Sequence, residues 1–234
     1  MIAFLVAVAD QSRFDAIAAP GIERVREGDS VVVTVRPDAG SGPQRVLNAA
    51  LAELAGEPDL EAVVILHEDV DLVDLDTASI VRDAFTDPDV AIAGAIGAQG
   101  VSGLAWWAGI PIGGTATGHV PDGRIAGVIR QGTVDAVDGL VLCLSPWAVR
   151  TLRFDETLAP DFHGYDIDLC FQARYHGRRV EVIPLAVHHD HRPLFTDTER
   201  WVRNELRFQR QWIDHRPISE RRHQALAPPA APAS

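Results

Sequence analysis

Short apolar runs alternate with longer amphipathic stretches along the first hundred residues. Ile2 to Val8 is an unbroken apolar run ending at Ala9-Asp10, which predicts a first strand covered on both faces. Ser12 to Arg26 carries helical spacing, with a break expected at Pro20-Gly21. Ser30 to Val35, dense in valine, predicts a second strand, and Asp38 to Gly42 a turn cluster. Ser41 is placed to cap a helix over Pro43 to Leu54, with Leu47, Leu51 and Leu54 at helical spacing. Val63 to Leu66 predicts a third strand, Asp76 to Phe85 a helix, Asp87-Pro88-Asp89 a turn, and Val90 to Ala95 a fourth strand. This alternation predicts an α/β fold, a mostly parallel mixed sheet flanked by helices in a single domain.

The pattern changes between Gly97 and Gly132. Glycines are frequent, Trp106-Trp107 interrupt them, and Pro121-Asp122-Gly123 reads as the turn of a hairpin between His119-Val120 and Ile125 to Ile129. A glycine-rich excursion between sheet strands is a candidate substrate loop. Burial is the default for Trp106 and Trp107, although an exposed indole suits the apolar face of a sugar. Val134 to Leu144 predicts a strand interrupted at Asp138-Gly139, and Ser145-Pro146 a capped helix start. A helix is expected from Asp166 to Tyr175, ended by Gly177 and with Leu169, Phe171 and Ala173 partly buried. Val180 to Val187, broken at Pro184, predicts an edge strand. Thr196 to Asp214 is helical, with Trp201, Val202, Leu206, Phe208, Trp212 and Ile213 forming an apolar stripe.

Composition narrows the function. The chain of 234 residues is long enough for a sizeable core, and its formal net charge of -12 argues against bulk nucleic-acid binding. All 21 basic residues are arginine. Two cysteines, Cys143 and Cys170, make no disulfide framework, so a reduced cytoplasmic setting is expected. Neither a basic leader before the first apolar run nor an apolar run of the ~20 residues needed for an integral membrane segment is seen.

Three polar clusters carry candidate chemistry. The third strand runs directly into His67-Glu68-Asp69-Val70-Asp71. Ligands of open α/β sheets bind just beyond the carboxyl ends of such strands. Asp69 and Asp71 would share one face of extended backbone, and paired carboxylates attract a hard divalent cation. Alternatively, the stretch is an acidic loop before a helix. Asp166 falls in the first turn of its helix, where the dipole favours an ionised carboxylate able to act as a general base, or one that simply caps the helix. His188-His189-Asp190-His191 closes a strand; His189 and His191 would share a face, and a neutral imidazole there would complete a cation site, unless the cluster is a solvated turn. Ala7 to Ser12 contains no glycine-rich phosphate turn, which weighs against a dehydrogenase and against a nucleotidyltransferase.

In order, Asp69-Val70-Asp71 after a strand, Asp138-Gly139 in a later strand, and Phe162-His163-Gly164-Tyr165-Asp166-Ile167-Asp168-Leu169-Cys170 before a strand ending in histidine resemble family 2-like glycosyltransferases with the GT-A fold. The last stretch is similar to a bacterial subgroup. The resemblance implies a metal-dependent, inverting transfer of sugar from a nucleotide-diphospho-sugar of UDP, GDP or dTDP type. It places Asp10, Arg36, Asp38 and Asp69 by the nucleotide. Asp71, Asp69 and one of His188, His189 and His191 would hold Mn or Mg. Asp166 would be the base, and Asp138, with Trp106, Trp107 and His163, would line the sugar and acceptor side. Residues 1–223 would then form one domain, with a nucleotide-binding half over about 1–96, an acceptor half over 97–191 and the C-terminal helix over 196–214; the Ala- and Pro-rich end, 224–234, is expected to be a disordered tail. The family commonly has Glu-Asp where this chain has Tyr165-Asp166. The acceptor is not implied. The rivals are sugar-nucleotide synthesis and a non-catalytic binding module of the same fold.

Overall fold

The computed structural model describes residues 1–38, 42–113, 116–118, 131–158, 164–190 and 198–213. Its centre is a seven-stranded sheet built from β1 (Ile2–Ala7), β2 (Val31–Val35), β3 (Ala62–Leu66), β5 (Val90–Gly94), β9 (Gly132–Val134), β11 (Val141–Leu144) and β12 (Arg179–Val182). The strand order is β2-β1-β3-β11-β5-β12-β9. Parallel pairing joins β2, β1 and β3, and also β5 and β12. β11 runs antiparallel between β3 and β5, and β9 antiparallel to β12. Five of the seven strands therefore point one way, as expected of a mostly parallel mixed sheet.

The unbroken apolar runs lie where they can be covered on both sides. Every residue of β3, β5 and β11 is buried, as is β1 except at Ala7. Helices α3 (Gln44–Leu54) and α5 (Pro146–Thr151) pack on each other and on this sheet, α4 (Thr77–Ala84) packs on β5, and α6 (Tyr165–Tyr175) packs on β5 and β12. Ser145 caps α5 through its Oγ, which accepts from the Ala148 N–H at 3.2 Å. Gly177, at φ +73°, ends α6 in the left-handed conformation. The edge strand β2 is more open; Val31 and Val32 are 37% and 41% exposed.

Two smaller sheets stand beyond the main one. One is β10 (Ala136–Val137), β6 (Ile96–Gln99) and β7 (Ile110–Gly113); the other is β4 (Val70–Leu72), β13 (Val187–His189) and β8 (Ala116–Gly118). Close approach demands glycine at Gly97, where a Cβ would lie 2.3 Å from the Ala136 carbonyl oxygen.

Several elements depart from the sequence reading. The first helix is not broken at Pro20-Gly21. It runs as α1 (Gln11–Arg13), a π-helical stretch (Phe14–Ala18) and α2 (Ala19–Val25). The wider π turn, with Ala19 N–H bonded to Phe14 O, precedes Pro20 and accommodates its missing donor. Gly21 is there because β4 crosses it: a Cβ would meet Asp71 Oδ1 at 2.5 Å and Leu72 N at 2.7 Å. The cap position of α3 is Pro43, and Ser41 lies outside the described residues. β12 is not an edge, because β9 pairs on its outer side; Pro184 falls beyond its end, where the chain leaves for β13. Leu169, Phe171 and Ala173 are fully buried. The predicted hairpin over 119–129 and the tail over 224–234 lie outside the described residues.

The C-terminal helix, α7 (Thr198–Phe208) with a π-helical end (Gln209–Ile213), buries Asn204 and Phe208 but leaves Val202 and Leu206 49% and 53% exposed. Trp201, Trp212 and Ile213 are partly buried against the core, and polar contacts also hold the helix. Glu205 accepts from the Leu104 N–H at 2.8 Å, and Trp212 donates its indole N–H to Asp168 at 2.7 Å. No helix among the described residues is long and apolar enough to cross a membrane.

Candidate active site

The site forms where β1, β3 and β13 end and β4 begins. After Leu66 the chain turns, with Val70 N–H donating to His67 O at 3.2 Å. That turn breaks the extended geometry assumed for Asp69 and Asp71. β4 then pairs antiparallel with β13, setting His188 opposite Asp71 and His189 opposite Val70. Side chains alternate across a strand, so His189 and His188 leave by opposite faces. The Asp190 N–H donates to Asp69 O at 2.9 Å and closes the corner.

His67, Asp69 and His189 converge as a result. One candidate ligand atom from each lies within 4.8 Å of the other two. Asp69 is 8% exposed; its Oδ1 is 3.3 Å from His189 Nε2 and 4.0 Å from His67 Nδ1. Arg13, from the end of α1, places Nη2 3.0 Å from Asp69 Oδ2 and donates to Asp190 O at 2.5 Å. Burial resists ionisation of Asp69, but the His189 hydrogen bond and the neighbouring positive charges outweigh it and hold the carboxyl below its usual range.

A tyrosine joins this cluster to the start of α6. The Tyr165 hydroxyl lies 2.9 Å from His67 Nε2. Beside it, Asp166 accepts from the Gly139 N–H at 2.7 Å and the Ile167 N–H at 2.9 Å. Gly139 makes room: a Cβ would stand 2.9 Å from the Tyr165 hydroxyl and 3.1 Å from Asp166 Cβ. Asp138 accepts from the Trp106 indole N–H at 2.9 Å and from the Leu140 N–H at 2.8 Å. The helix start alone predicts a readily ionised Asp166. Instead, burial and the Asp138 carboxylate push it up to about 7, against the two N–H donors. Asp166 retains some solvent exposure, so it remains reachable.

The other expected residues are distributed as follows. Asp71 is turned away to Arg24, with Oδ1 2.9 Å from Nη1, and is not a member of the His67-Asp69-His189 cluster. His188 is exposed on the opposite face from His189. Asp10 caps α1, accepting from the Ser12 and Arg13 N–H groups, and Glu68 holds the preceding turn by accepting from the Ala9 and Asp10 N–H groups at 2.6 and 2.9 Å. Arg36 donates to Gln11 at 2.9 Å, on the same rim, whereas Asp38 pairs with Arg45. Trp106 is buried; Trp107 is 59% exposed and lies 5.9 Å from Trp201, centroid to centroid. His163 and His191 lie outside the described residues. A groove of about 450 Å³ lined by Arg203, Leu206, Arg207, Arg210 and Gln211 contains none of these residues.

His67 was missed by the sequence reading, though its signal was present. His67-Glu68-Asp69 has the same two-residue spacing as Asp69-Val70-Asp71, and it sits immediately after the strand. Arg13 gave no sequence signal, because it reaches Asp69 across 56 positions only through the parallel pairing of β1 with β3.

Residues 44–217 match a family described as "Glycosyltransferase like family", which covers well over half of the chain. The chain belongs to this family. It is also 33% identical over 227 residues to a streptomycin biosynthesis protein, StrF, of Streptomyces griseus, spanning 93% of this chain and 76% of that protein. Two solved structures share the fold. One is GalNAc-T7 with UDP, GalNAc and Mn2+, at TM-score 0.62 and 11% identity, covering 97% of this chain and 51% of that one. The other is a mannosyltransferase of Pyrobaculum calidifontis in complex with GDP-Man and Mn2+, at TM-score 0.60 and 13% identity, covering 97% and 70%. The fold of this glycosyltransferase-like chain is therefore GT-A, and glycosyl transfer is the activity its family is described by.

Proposed function

We propose that this chain transfers a sugar, with inversion, from a nucleotide-diphospho-sugar to an acceptor hydroxyl, using a divalent cation held by His67, Asp69 and His189. The observation that carries this reading is the convergence of those three residues with Tyr165 and Asp166 at the carboxyl ends of β1 and β3. The donor set fits such an ion: one buried carboxylate and two imidazoles leave coordination positions for diphosphate oxygens. Nitrogen donors disfavour Mg2+, which prefers oxygen, and leave Mn2+ as the better match. Both solved relatives above carry Mn2+ with a nucleotide or nucleotide-sugar.

When bound, the cation supplies charge neutralisation for the departing nucleoside diphosphate. Arg13, beside Asp69, adds a fixed positive charge at the same end. Asp166 accepts the proton of the acceptor hydroxyl as that oxygen bonds to the anomeric carbon. The bond from that carbon to the diphosphate breaks, and its electron pair leaves with the diphosphate. A base titrating near 7 is matched to neutral pH. Asp138, fixed by Trp106, and the exposed Trp107 line the sugar and acceptor side, an indole face suiting the apolar side of a sugar. Asp10, Arg36 and Asp38 form the nucleoside side, at the ends of β1 and β2.

The test is thermal stabilisation by UDP, GDP or dTDP, each with and without Mn2+. At a hundred times its dissociation constant, the correct diphosphate adds about 2.7 kcal/mol. That gain should require Mn2+ and vanish in His189→Ala. Stabilisation by none of the three would overturn the reading.

A further inference from the structure

The Tyr165 hydroxyl is buried and aimed at an imidazole of the candidate metal site rather than at solvent. Resting on the metal reading above, we propose that Tyr165 is a positioning residue for His67. The hydroxyl accepts a hydrogen bond from His67 Nε2 and so presents Nδ1, unprotonated, to the cation beside Asp69. The distances divide the two ring nitrogens between these roles: Nε2 is 2.9 Å from the Tyr165 hydroxyl, and Nδ1 is 4.0 Å from Asp69 Oδ1. An imidazole ligates a metal through its lone-pair nitrogen, and the partner of its other nitrogen selects the tautomer.

The surrounding structure fixes the tyrosine for this task. Its ring is 3% exposed and packs edge-on against Phe154, with centroids 5.5 Å apart at 71°. Gly164, at φ +94°, starts α6 in a conformation that side chains rarely adopt, and Gly139 leaves the space the hydroxyl fills. Tyr165 and Asp166 are adjacent in the first turn of α6. One helical turn thus carries both the orienter of a metal ligand and the candidate base, so the cation and the acceptor proton are held in register by the same backbone.

Tyr165→Phe keeps the ring and removes only the hydroxyl. Mn2+ affinity, titrated by the electron paramagnetic resonance signal of the free aquo ion, should fall about 10- to 100-fold. Nitrogen-15 spectra of the imidazoles in the metal-free protein give a second readout that a purely structural role would not move. His67 should carry its proton on Nε2 in the wild type and lose that preference in Tyr165→Phe. Mn2+ affinity within twofold of wild type, or a wild-type His67 protonated on Nδ1, would overturn the role of Tyr165 while leaving the metal site standing. A wild type that retains no Mn2+ would overturn the metal reading itself. The wild-type tautomer decides the matter even if the variant folds poorly.

Discussion

Asp166→Asn tests the electrostatics of the candidate base without reference to any substrate. In the folded protein the carboxyl is pushed up to about 7 by burial and by Asp138, whereas an unfolded aspartate titrates at about 3.9. The folded state therefore holds its proton over a range where the unfolded chain has released it. That contribution to stability is fully present below about pH 4 and is lost as pH rises to about 7. At about 1.4 kcal/mol per pKa unit, the loss between pH 5 and pH 8 is at most about 2–3 kcal/mol, because the residual exposure of Asp166 lets water screen its charge. The substituted amide has no proton to lose. It can accept from only one of the Gly139 and Ile167 N–H groups that Asp166 satisfies together, so the substitution costs about 1 kcal/mol or more at acid pH. Urea unfolding of both proteins from pH 5 to 8 should show wild type ahead at pH 5 and the gap narrowing or reversing by pH 8. Titrating groups remote from Asp166 are common to the two chains and cancel in the difference, and Asp138 belongs to the same electrostatic pair being tested. Parallel pH profiles would refute the raised carboxyl, and with it the idea that Asp166 is tuned for proton transfer at neutral pH.

Three further outcomes are expected. His67→Ala should weaken Mn2+ retention, measured by equilibrium dialysis, whereas Asp71→Asn should leave it unchanged and alter stability by no more than ~1 kcal/mol, since Asp71 only pairs with the partly exposed Arg24. Trp212→Phe removes the indole donor from buried Asp168 and should destabilise by about 1–3 kcal/mol in chemical denaturation; no loss would show that Asp168 does not depend on that bond. Gly97→Ala places a Cβ 2.3 Å from the Ala136 carbonyl and should lower the melting temperature by several degrees in calorimetry, because backbone, not a flexible side chain, must move.

Elements whose burial is two-sided were legible from order alone. The runs Ile2 to Val8 and Val63 to Leu66 contain nothing a surface position needs, so they could only be central strands. Ser145-Pro146 and Gly177 marked helix ends by local chemistry, and local chemistry is what a sequence carries directly. The acidic and histidine clusters drew attention to Asp69, Asp166 and the 188–191 stretch, and the structure brings Asp69 and His189 together with His67. Geometry extended along the chain held where the element was regular, as for Leu47, Leu51 and Leu54 on α3, and failed where a turn interrupts the strand. Asp69 and Asp71 do not share a face, because a turn stabilised by the Val70 N–H intervenes. The apolar stripe of the last helix is covered only in part: Trp201, Phe208, Trp212 and Ile213 pack on the core, while Val202 and Leu206 stay exposed.

Among the described residues, strand pairing decides which histidines of the 188–191 stretch lie beside Asp69. The antiparallel register of β4 with β13 brings His189 in and turns His188 out, while His67 is placed by the end of β3. The charge state of Asp166 was likewise beyond local reading, since the dipole at a helix start is a near-field effect and Asp138 and burial arrive from another part of the chain. Sequence specified which groups are available and which segments are strands or helices. Only the folded chain decided which groups meet, because meeting depends on register and twist summed over many residues, and a one-residue change in either reverses the face a side chain occupies.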